Sequence, residues 1–169
     1  TPVGVEGTVP VAGHSVVLAV LGPANDDRAR DLALRAALAE ARVALGHIHQ
    51  LMIELGRPAD LPAVGAGLLH ALVNDPAFGW LHPVAELLID LDVRLEADAR
   101  MDDAEAVAIA RELETIVVPP GGAVPASFAA RYMAALPSEP ALAIAHGRLR
   151  QALLGLAPPN GLVAGEAEL

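Results

Sequence analysis

His82, Glu86 and Asp90 follow one another at four-residue steps. On a helix this spacing aligns an imidazole and two carboxylates along one face. Such a set could ligate a divalent metal or carry out acid–base chemistry. Trp80, just ahead of them, would wall a pocket beside the three. The same side chains also read as a solvated polar stripe opposite Leu87, Leu88 and Leu91, with the His82 imidazolium paired to Glu86. A di-metal bundle adds a Glu-x-x-His pair from each of two helices. No Glu in this chain is followed by His at that offset.

The other polar candidates are weaker. His47 and His49 flank Ile48 and diverge by about 200° around a helix, which argues against a shared metal. His70 and His146 lie near apolar faces, where each reads as a hydrogen-bonded residue inside a bundle. The acidic run Asp90, Asp92, Glu96, Asp98, Asp102 and Asp103 lacks the central Gly and terminal Glu of a calcium loop. Ser15, Ser127 and Ser138 stand at element starts, and none sits in a Gly-x-Ser-x-Gly elbow. Gly65-Ala-Gly67 and Gly121-Gly122 have neither the preceding strand nor the Lys of a phosphate loop. The sequence therefore names no catalytic residue and no cofactor.

The elements that must position these groups are helices. Leu34, Leu38, Ala41, Leu45, Ile48, Met52 and Leu55 follow alternating steps of four and three, a heptad seam. It predicts a first helix over Asp27–Leu55, stopped by Gly56 and Pro58, with Leu32, Val43 and Leu51 widening the stripe. A second helix is expected over Leu61–Val73, with Val64, Leu68, Leu69 and Leu72 inward. Asp75-Pro76 starts a short turn that carries Trp80 as a packing anchor. A third helix runs from Pro83 to Ala97. Asp102 and Glu105 open a fourth, to Val117, with Val107, Ala110, Leu113, Ile116 and Val117 inward. Ser127 caps a short fifth helix and Ser138 a last one to Leu156. The reading is an all-α bundle of five to six helices over residues 25–156. An extended arm (1–24) precedes it and a flexible tail (157–169) follows.

Residues 68–92 resemble a group of small bacterial helical proteins with no assigned function. The shared features are Asp75-Pro76, the Phe78-Gly-Trp80-Leu-His-Pro83 turn and the amphipathic helix ending near Asp92. Phe128-Ala-Ala-Arg-Tyr132 and Ala145-His146 are similar to the same group. His82 departs from it, since the group carries Arg there. The resemblance implies a helical fold and supplies no catalytic residue.

Composition bounds the function. The chain has 169 residues, 54% of them hydrophobic and 2% aromatic, and a formal charge of −10. That charge argues against sequence-independent nucleic-acid binding, and all 11 basic residues are Arg. The absence of Cys excludes disulfides and thiol chemistry. The apolar run Ser15–Leu21 is too short to span a membrane. With no basic residue ahead of it, a cytoplasmic location is expected. The apolar surplus predicts a non-enzymatic bundle that forms a homo-oligomer, such as a homodimer, or docks on a protein partner. The expected interface is Leu34, Leu38, Leu45, Ile48 and Met52. The competing expectation is a metal- or small-molecule-binding bundle with its site near Trp80, His82, Glu86 and Asp90.

Overall fold

The computed structural model describes residues 23–117 and 127–158. The expected N-terminal arm, the Pro119–Gly122 linker and most of the C-terminal tail lie outside the described residues. Within them the protein is all-α, as expected. Its helices are α1 (Pro23–Gly56), α2 (Ala66–Asn74), α3 (His82–Glu96), α4 (Asp103–Val117), α5 (Phe128–Ala135) and α6 (Pro140–Leu156), with a 3-10 helix (Pro76–Leu81) leading into α3.

α1 is the spine, about 50 Å long at 1.5 Å per residue. Its seam is covered from Leu34 to Met52: Leu34, Leu38, Ala41, Leu45 and Ile48 are 0% exposed and Met52 2%, while Leu55 at its end is 46% exposed. The cover is intramolecular, because α6 packs along one side of α1 and α3 along another. Gly155 lies against Ala37 while Leu142 lies near Leu51, so α6 runs antiparallel to α1. Gly46 faces Leu88 and Arg42 pairs with Asp92, so α3 is antiparallel as well. Arg30 reaches both Asp103 at the start of α4 and the Ala157 carbonyl beyond α6. The four long helices α1, α3, α4 and α6 thus alternate in direction, with α5 and Tyr132 closing the end of the bundle.

This arrangement corrects the expected interface. Leu34, Leu38, Leu45, Ile48 and Met52 form the chain's own core and are closed to a second molecule. A heptad seam records that a neighbouring helix lies alongside, and the same pattern arises whether that helix belongs to the same chain or another.

Two further expectations change. α2 is shorter than predicted, and Val64 and Leu69 are 80% and 64% exposed instead of inward. Pro58 and Pro62 withhold amide donors, and Gly65 adopts φ 95°, so the chain turns until Ala66. α4 is rotated by one residue: Ala106, Ile109, Leu113 and Val117 are buried, while Val107, Ala110 and Ile116 are half-buried. The predicted face would have carried Glu114 inward. The observed one keeps that carboxylate at the surface.

Three of the expected caps are present, while α1 begins at Pro23, ahead of the expected Asp27, and α2 starts after Gly65 with no side-chain cap. Asp75 accepts from Ala77 N at 2.9 Å, Asp102 from Glu105 N at 2.8 Å, and Ser127 from Ala130 N at 3.3 Å. Ser138 does something else, donating to the Ala135 carbonyl at the end of α5. No described helix is long and apolar enough to cross a membrane.

Candidate functional site

The His82–Glu86–Asp90 series lies on α3, and its first member is already engaged. His82 Nε2 donates to the Leu72 carbonyl at 3.0 Å. Leu72 belongs to the last turn of α2, whose carbonyls have no partner within their own helix. Asp75 N donates to Ala71 O and Asn74 Nδ2 to His70 O, so three successive carbonyls at the end of α2 have partners. Glu86 and Asp90 are exposed. Among the described residues no group of three His, Asp or Glu side chains is placed to hold a metal ion. The expected metal set is thereby corrected: His82 turns toward α2 instead of toward Glu86, because a helix end must satisfy its carbonyls.

Trp80 points elsewhere. It packs over Gly56 at the end of α1, where an added Cβ would lie 2.8 Å from its ring. Arg131 sits 4.6 Å from the ring centroid as a cation–π partner. Trp80 and His82 therefore face different clefts and share no site.

Two clefts have distinct chemistry. The first is a groove of about 390 Å³ between α1, α2 and α3. Leu69, Leu72, Val73, Ala85 and Ile89 line it, with His49, His82 and Glu86 as its polar members. Burial holds His49 below the ordinary histidine range, and its Nε2 is buried without a hydrogen-bond partner. The groove is bordered by exposed apolar side chains: Leu69 is 64% exposed, Val73 62% and Ile89 63%.

The second is a crevice of about 460 Å³ between α4 and α6, lined by Glu114, Val117, His146, Leu149, Arg150 and Leu153. Behind it runs an aromatic ladder. Trp80 stacks on Phe128 at 6.0 Å, Phe128 on Tyr132 at 5.8 Å, and Tyr132 meets the His146 ring at 5.9 Å. Tyr132 is fully buried, and its hydroxyl lies 2.5 Å from His146 Nδ1. Burial raises the Tyr132 phenol and keeps it protonated. Burial lowers His146, and nearby Arg150 adds to that. The phenol is thus the donor and the neutral imidazole the acceptor.

Sequence reading placed His146 inside the bundle with a hydrogen bond, but not its partner. Tyr132 and His146 are fourteen residues apart on different helices, so no helical spacing could couple them. Comparison with known proteins yields no match, whether among family models, curated proteins or solved structures. The resemblance of the Asp75–Pro83 turn rests on the sequence alone.

Proposed function

We propose that this protein is a non-enzymatic helical bundle that works by self-association, as a homodimer, through the face formed by α2 and α3. The observation that carries this reading is α2 itself. In a chain of charge −10 it has no charged residue, and of its side chains only Ala71 is buried. Leu69 and Val73 stand one turn apart on its outer side, and Ile89 and Val93 do the same on α3, each more than 60% exposed. A helix with apolar residues on both sides gains stability when a second surface covers the open one.

A second copy is the proposed occupant of this surface. Ile89 and Val93 form a ridge on α3, and the α1–α2–α3 groove lies beside that ridge on the same face. A two-fold axis lays each copy's ridge into the other's groove, as an isologous contact requires. Glu86 is the single charged residue that lines the groove.

Sedimentation equilibrium of the full chain at micromolar concentration tests this. The expected result is a dimer that becomes a monomer in Leu69→Asp and in Ile89→Asp, with unchanged helical circular dichroism. A wild-type monomer throughout the micromolar range, or a dimer untouched by both substitutions, would overturn the reading.

A further inference from the structure

The α4–α6 crevice lies apart from the proposed dimer face and has a different polar make-up. His146 and Arg150 are one helical turn apart on α6, so both project toward α4. Glu114 stands on the facing wall, and Val117, Leu149 and Leu153 form the apolar remainder. At about 460 Å³ the space falls within the usual range for small-molecule sites.

The Tyr132 contact makes the imidazole a defined donor. With Nδ1 accepting from the phenol, the ring proton of neutral His146 must sit on Nε2. Tyr132 occupies the buried edge of the ring, which leaves the Nε2 edge for the crevice. Neither Arg150 nor Glu114 forms an ion pair within the described residues. The crevice thus presents two N–H donor groups, one of them cationic, opposite one carboxylate, over an apolar floor.

Ligand classes follow from that set. A simple anion would satisfy Arg150 and His146 but meet Glu114 and the field of a chain with charge −10. A simple cation would satisfy Glu114 and meet Arg150. A small molecule carrying both charges and a hydrocarbon group satisfies every polar member at once. We propose that the α4–α6 crevice binds an apolar α-amino acid. Its carboxylate takes the Arg150 guanidinium and His146 Nε2–H, its ammonium takes Glu114, and its side chain lies on Val117, Leu149 and Leu153. Tyr132 is a positioning residue that sets the His146 tautomer and ring orientation. Carboxylate recognition by a guanidinium is a charge-assisted contact and supplies the main anchor.

The test is a titration of the full-length chain with L-leucine and with L-phenylalanine, followed by the His146 ring resonances in NMR. At least one of them is expected to shift those resonances saturably and to raise the pH at which the ring titrates, because the bound carboxylate favours the imidazolium. Arg150→Gln and Glu114→Gln alter exposed side chains, and each is expected to weaken binding by about tenfold or more. Hexanoate and hexylamine, each carrying one of the two charges, are expected to bind at least about tenfold more weakly than the amino acid. The proposal is overturned if neither amino acid shifts the ring saturably, if either variant binds like the wild type, or if hexanoate matches the amino acid. Circular dichroism of both variants confirms that any loss is not unfolding.

Discussion

Gly155 of α6 lies so close to Ala37 of α1 that a Cβ at position 155 would stand 2.9 Å from the Ala37 Cβ and 4.0 Å from its Cα. Two small residues let the C-terminal end of α6 approach the spine helix near its N-terminal half. Arg30 makes its contact with the Ala157 carbonyl just beyond.

Gly155→Ala sets two effects against each other. Ala favours helix by about 1 kcal/mol over Gly, while overpacking a close contact costs about 1–3 kcal/mol. The Ala37 methyl is held by its own backbone and has no rotamer to retreat to, so the clash wins. The expected outcome is a net loss that grows in Gly155→Val, read as a lower urea midpoint with an unchanged slope.

Arg35 and Arg42 separate a capping arginine from a paired one. Arg35 reaches the carbonyls of Leu95, Ala97 and Ala99 beyond Asp31, so it closes the C-terminal end of α3. Arg42 makes a two-pronged contact with Asp92 at 2.6 and 2.7 Å, but that pair is well exposed. An exposed pair contributes about 0–1 kcal/mol, whereas Arg35 joins three carbonyls, one in the last turn of α3 and two just beyond it, and a typical hydrogen bond adds about 0.5–1.5 kcal/mol net. Thermal unfolding should therefore rank Arg35→Ala below Arg42→Ala. The reverse order would contradict the capping role.

The aromatic ladder should be costly to break. Phe128 is 4% exposed and stacks between Trp80 and Tyr132. Phe128→Ala leaves a cavity and is expected to lose about 3–5 kcal/mol. Tyr132→Phe keeps the ring and removes only the hydroxyl, for an expected loss of about 1 kcal/mol. Chemical denaturation of both variants checks the ratio. Near-equal losses would mean that the hydroxyl contact, not the stacking, dominates.

Stability should fall on mild acidification. Burial lowers His49, and burial together with Arg150 lowers His146, so the unfolded chain binds those protons more readily than the folded one. That stability is complete above the unfolded value of about 6.5 and is lost as pH drops through the folded values. The lowered carboxylates act in a more acidic window. Asp31 accepts from the Met101 amide, Asp92 is held by Arg42, and their contribution fades below about pH 4. The urea midpoint is expected to be lower at about pH 5 than at about pH 7.5, and the difference should shrink in His49→Leu. A midpoint constant over that interval would contradict the histidine assignment.

Local features were legible because their causes are local. The α1 heptad, the Asp75, Asp102 and Ser127 caps and the Asp75-Pro76 restart each depend on residues within one or two turns, and each is present where the sequence places it. α2 and α4 depart in part from their apolar spacing. Pro62 and Gly65 outweigh the apolar spacing ahead of α2, and two adjacent apolar faces compete on α4.

By itself, then, the amino-acid sequence determined an all-α chain, most helix boundaries and which residues of α1 must be covered. Only the tertiary structure decided what covers them. Periodicity specifies the direction a side chain faces around its own helix, but not the identity of the neighbour it meets. Hence the α1 seam closed under α6 and α3 of the same chain, and the open apolar surface moved to α2 and α3. The same reason separates Trp80 from His82, turns His82 onto the Leu72 carbonyl and joins Tyr132 to His146.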